Sequence, residues 1–193
     1  MGPCSPAEAV RRALSLVDKG GQYVLGTGDF RGDGFPPWTT RDGLLGSDCA
    51  GFAISWCYKL KRHRPLFNRG SWSTVSDDLN VNSAIEDAQH TQELFEVADR
   101  PEPGVLLCYP TFRAGLLRRR FIGHVGIVTS VARCAEWDAD APRYDLLDIA
   151  QCCGPNGRSP AVLATDGSVW SRHDAKWPKP QHRTVMVRLR RGD

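Results

Sequence analysis

The sequence contains no apolar run approaching the roughly 20 residues of a membrane-spanning helix. Its N-terminus also lacks the basic-then-apolar pattern of a secretory signal. The expectation is a chain synthesised in a cytosol, with no membrane partner. A strong charge of either sign is missing too. The formal net charge is +3, and the basic clusters Lys59 to Arg64, Arg118 to Arg120 and Arg188 to Arg191 are scattered and not interleaved with aromatics. Nucleic acid would want a denser basic face, so it is not an expected partner. The clusters read as solvated faces, with a looser attraction to a polyanion such as a bacterial surface as the alternative. A disulfide framework is absent as well: the cysteines number seven, an odd count without framework spacing, and Cys152 and Cys153 are adjacent. Reduced thiols follow. Without a Cys-x-x-Cys or a histidine pair at ligand spacing, no structural metal and no cofactor are expected. Internal repeats and low-complexity linkers are lacking, and 193 residues fit one domain spanning 1–193.

What the sequence does have centres on Gly46 to Trp56, which reads Gly-Ser-Asp-Cys-Ala-Gly-Phe-Ala-Ile-Ser-Trp. A small-residue turn leads into a helical pattern, with Phe52, Ala53, Trp56, Cys57 and Leu60 at spacings of three and four as its buried stripe. Asp48 stands at the N-cap position and Cys49 at the first helical residue. Unpaired N–H groups and the positive end of the helix dipole favour a thiolate there, and the thiolate is the nucleophile.

Around this stretch the elements follow in order. Ser5-Pro6-Ala7-Glu8 is a capping box opening a helix over 6–19, stopped by Lys19-Gly20-Gly21. A short extended piece with Tyr23 precedes a loop from Gly26 to Gly46, rich in Gly, Pro, Thr and Asp, with Trp38 as its large anchor; its position marks it as a substrate wall. The segment from Lys59 to Asn82 is polar and irregular, with Trp72 as its anchor. A second capping box at Ser83-Ala84-Ile85-Glu86 opens a helix to about Gln89. Strands are predicted over 105–109, 122–131, 144–152, 161–164 and 184–190, from alternating or β-branched runs between turn signals. Helices followed by strands make the fold class α+β with a mostly antiparallel sheet.

The second of these strands holds Gly123-His124-Val125-Gly126-Ile127-Val128. A glycine interrupts a strand where another group comes close, and the helix bearing Cys49 is the expected neighbour. A neutral imidazole at His124 could take the Cys49 proton. With these pieces in hand, the chain resembles the NlpC family of papain-like cysteine peptidases. The resemblance rests on Tyr23-Val24-Leu25-Gly26, Asp48-Cys49-Ala50-Gly51-Phe52, Pro103-Gly104 and the His124 segment, in that order, over roughly residues 6 to 165. It is similar above all to the phage-encoded cell-wall hydrolase variant.

The resemblance implies a papain-like fold in which the nucleophile helix packs on an antiparallel sheet. It further implies a peptidoglycan hydrolase that cleaves a peptide or amide bond of the bacterial stem peptide. In that reading Cys49 is the nucleophile, His124 the general base and Tyr23 the residue that closes the site, while Asp48 helps hold a substrate ammonium. The family's third polar residue orients the imidazole. Here Gln151 stands where relatives usually have histidine, and strand alternation puts Asp148 and Gln151 on opposite faces. Gln151 is chosen and Asp148 is the alternative. Two further departures are Ala50 for the family's serine, which weakens recognition of a free amine, and Val105 for an aspartate. An inactive wall-binding or phage structural module and an acyltransferase on the same fold are the rival readings; acyltransferase relatives generally place histidine before cysteine. The bond cut, the oligomeric state and the route of delivery are not encoded in any motif.

Overall fold

The computed structural model describes residues 4–18, 22–23, 46–60, 80–115, 118–155 and 159–190. The predicted substrate wall up to residue 45, with Trp38, and residues 61–79 of the predicted irregular segment, with Trp72, lie outside them. The first helix, α1 (Pro6–Leu14), starts as its sequence dictates: Ser5 caps it by accepting the Glu8 N–H at 3.2 Å, and Pro6 occupies its first turn. It ends earlier than predicted. Two short turns follow, and Asp18 adopts a left-handed φ of 59° while donating its N–H to the Val162 carbonyl. The helix therefore stops where the chain must reach the sheet, ahead of the glycines.

Strands β1 (Gln22–Tyr23) and β2 (Gly46–Ser47) form a two-residue parallel pair that sets Tyr23 beside Ser47. The central helix follows at once, and its span Gly51–Cys57 is π-helical. Its predicted amphipathic stripe is corrected by the structure. Every residue from Asp48 to Tyr58 is buried, because the helix is sandwiched between α1 and the sheet; a helix apolar all round is what such a position requires.

Helix α2 (Val81–Glu86) opens at Asn80, three residues before the predicted cap. The Asn80 side chain accepts the N–H groups of Asn82 and Ser83, and Ser83 Oγ accepts the Asn80 N–H. The box is thus closed by a serine where a glutamate was sought. A π-helical turn (Asp87–Thr91) continues it. The Asp87 carboxylate then accepts from the N–H groups of Glu93, Leu94 and Phe95, tying the turn to the next strand.

The remaining strands are β3 (Phe95–Val97), β4 (Leu106–Tyr109), β5 (Phe112–Ala114), β6 (Arg119–Phe121), β7 (His124–Ser130), β8 (Asp148–Cys152), β9 (Val162–Asp166) and β10 (Val185–Leu189). Among the described residues, six of them form one antiparallel sheet in the order β3-β10-β4-β7-β8-β9, and β5-β6 is a separate hairpin. The fold is α+β with a mostly antiparallel sheet, as the run of helices and strands implied. All five predicted strands are present, although 144–146 is a 3-10 turn leading into β8.

Helix α3 (Ser168–Lys176) was not predicted. Its sequence is polar except for Val169, Trp170 and the exposed Ala175, so it carries no helical stripe; one fully buried indole anchors it. Two cores result. Leu106, Cys108, Val125, Ile127 and Ala150 pack toward the central helix, whereas Leu107, Val128, Ile149 and Leu147 pack toward Trp170 on the opposite face. Among the described residues, no helix is long and apolar enough to cross a membrane.

Candidate active site

Asp48 ends the approach to the central helix, and its Oδ1 accepts the Gly51 N–H at 2.7 Å while its carbonyl accepts from Phe52. It is the N-cap, and Cys49 is the first residue of the helix, 5 % exposed. The sulfur lies against main-chain amides: those of Val125, Ala50 and Cys49 itself favour its thiolate. Contact with the Val125 backbone puts the thiol one residue from His124, at the end of the sheet where β7 begins.

His124 is buried, and its ring Nε2 lies 2.7 Å from Gln151 Oε1. Gln151 Nε2 in turn donates to Thr165 Oγ1 at 2.6 Å. This second bond turns the amide oxygen toward the imidazole, so Nε2 carries the hydrogen and Nδ1 keeps its lone pair. Asp148 takes no part. It sits on the other face of β8 with its carboxylate 2.7 Å from Arg133, and of the two residues it is Gln151 that bonds the imidazole.

The imidazole and the thiol approach from different sides of the sheet. The His124 ring stands 5.5 Å from Trp170 and 5.8 Å from Tyr109, on the face covered by α3. Cys49 belongs to the core on the opposite face. Among the described residues no hydrogen bond joins the two groups: the imidazole is tethered to Gln151 and the thiol stands apart from it.

The expectation for the glycines of the His124 segment is also corrected. A Cβ at Gly126 would come within 2.7 Å of Ile149 and of the Trp170 ring, and one at Gly123 within 2.6 Å of the Tyr109 carbonyl oxygen. The close neighbours are the α3 indole and the turn after β4; neither is the helix bearing Cys49.

The protonation states differ from those the helix position suggested. Burial, with the Asp48 carboxylate second, pushes the Cys49 thiol up to about 12, and the three backbone amides offset only part of this. Burial lowers His124, against the raising influence of the Gln151 bond and of Asp48. Near neutral pH both groups are uncharged. The helix terminus does favour the thiolate, but desolvation outweighs it. Asp48→Asn keeps the oxygen that caps Gly51 and removes the charge, so the pH at which Cys49 alkylates should move down; unchanged pH–rate profiles for iodoacetamide would refute that role.

Tyr23 is half-buried, and its phenol is pushed up by burial and then by Cys49 and Asp48, which places it beside the thiol. Sequence reasoning missed two residues. Tyr109 pairs directly with His124 across β4 and β7, and its phenol is pushed up to about 12 by burial and then by Cys49. Thr165 lies just past the predicted end of its strand. Only strand register, which no local pattern fixes, could have found either. Among the described residues no group of three His, Cys, Asp or Glu is arranged to hold a metal ion. Compared with known proteins, the chain matches no family model, no curated protein and no solved structure.

Proposed function

We propose that the chain is a papain-like cysteine hydrolase of the NlpC type, cleaving a peptide or amide bond in the stem peptide of bacterial peptidoglycan. The observation that carries this reading is the tether of His124 through Nε2 to Gln151, one residue along β7 from the Val125 backbone that the Cys49 sulfur touches. That bond leaves Nδ1 as the only ring nitrogen free to accept a proton.

In this mechanism Nδ1 takes the Cys49 proton as the sulfur attacks the carbonyl carbon. Because thiol and imidazole start neutral, transfer accompanies attack and no resting ion pair is needed. The oxyanion forms beside the helix N-terminus, whose amides can stabilise it; donors of this kind contribute roughly 10²- to 10³-fold each. The C–N bond then breaks, and the imidazolium protonates the leaving amine. His124 next deprotonates a water that attacks the thioester, releasing the acid and restoring the thiol. Tyr23 borders the nucleophile, and Asp48 supplies negative charge beneath it. Ala50 offers no hydroxyl to an incoming amine, so the stem's side chains, more than its free terminus, would decide which bond is taken.

The test is mass spectrometry of purified peptidoglycan digested with the protein and, in parallel, with Cys49→Ala. Soluble stem-peptide fragments with the intact thiol alone are the expected result, and their new termini identify the bond. Equal release by both proteins, or none by either, would refute the proposal.

A further inference from the structure

The β5-β6 hairpin leaves the sheet immediately after Tyr109 and returns immediately before His124. It carries Arg113, Arg118, Arg119 and Arg120, all exposed, and among the described residues none of the four side chains has an ion pair or hydrogen bond. Five arginines elsewhere, Arg11, Arg100, Arg133, Arg143 and Arg188, each hold a carboxylate. Moreover, Arg113 and Arg120 face each other directly across the hairpin. Like charges in that position are unfavourable, and among the described residues no carboxylate pairs with them.

The hairpin is nonetheless rigidly founded. Phe112 and Phe121 stack at 5.4 Å, Phe121 meets Trp177 at 4.6 Å, and Phe112 stacks on His182 at 3.9 Å. The same support brings up Lys176, whose ammonium lies over Trp177, and the exposed Lys179. The hairpin arginines thus ride on an aromatic support that also carries Lys176, and the hairpin adjoins Tyr109 and His124 in the chain. The aromatic rings beneath are engaged with one another and offer no free platform for bases, which disfavours single-stranded nucleic acid.

We infer that this hairpin is a docking surface for an anionic phosphodiester polymer of the cell wall, gripped by arginine–phosphate pairs. The inference rests on the wall-hydrolase reading for the choice of polymer, and guanidinium forks suit phosphate oxygens. Docking there would hold the enzyme at the wall with the Cys49 site against the adjoining peptide.

The experiment uses the full chain carrying Cys49→Ala, so that binding is measured without turnover. Poly(glycerol phosphate) is titrated by calorimetry at low and near-physiological salt. Affinity should fall by about tenfold or more between them, as release of counterions requires. Arg113→Gln with Arg120→Gln should weaken binding by about tenfold or more while keeping the thermal midpoint, since it removes a repulsive pair. Arg143→Gln, a paired surface arginine, should change nothing. No binding at low salt, an unaffected double variant, or tighter binding to a DNA duplex or to anionic vesicles of equal charge would overturn the inference. Because digestion of polymer-free peptidoglycan is scored separately, failure here leaves the hydrolase reading standing, and the reverse also holds.

Discussion

His124→Ala should reduce release of stem-peptide fragments by about 10³-fold or more, because in the proposed mechanism it removes the group that both accepts the thiol proton and returns it to the leaving amine. The protein should still fold. Its stability should drop by about 1–3 kcal/mol, the cost of leaving the buried Gln151 oxygen without its partner. The pH profile adds a second readout. Burial holds His124 below its ordinary value of 6.5, so the imidazole stays unprotonated, and able to act as base, at pH values where a solvated histidine has already charged. The acid limb of kcat/KM should therefore fall below 6.5. Loss of less than tenfold in the variant would remove His124 from the mechanism, and an acid limb above 6.5 would assign that limb to another group.

Trp170→Ala should cost about 3–5 kcal/mol in denaturant unfolding, the range for removing a buried aromatic side chain from a core. The indole is fully buried, donates to the Leu107 carbonyl at 3.1 Å and fills the space that Gly126 leaves on β7. It is the one fully buried apolar side chain of α3, so its loss should loosen α3 from the sheet. Turnover should fall as well, since the same ring stands 5.5 Å from the His124 imidazole. A cost below about 1 kcal/mol would mean that α3 is held by other contacts, and the account of the second core would fail.

Much of this protein can be read from its residues alone. Local chemistry fixed the Ser5 and Asp48 caps, because a short polar side chain before a helical pattern has one favourable use. Alternation of apolar and polar residues fixed the five long strands, and their number and order fixed the α+β class. The same alternation separated Asp148 from Gln151, so that one of them had to face His124. Helix α3 was not legible, since it buries one indole fully and has no repeating apolar stripe. The β5-β6 hairpin was hidden by its arginines, which resemble any solvated loop until Phe112 and Phe121 are seen stacked beneath them.

Tertiary structure alone decided the electrostatics. A cysteine at a helix N-terminus predicts a stabilised thiolate, but that prediction assumes solvent, and the packing of the central helix removes it. Burial with Asp48 close by reverses the sign, and a buried imidazole is likewise kept neutral. Partners distant in sequence were decided there too: Tyr109 opposite His124, Thr165 behind Gln151, and Trp170 against Gly126 all follow from strand register and helix placement. Sequence determines which groups a segment presents and to which face. Which groups then share a dielectric, and at what distance, is set only when the segments pack.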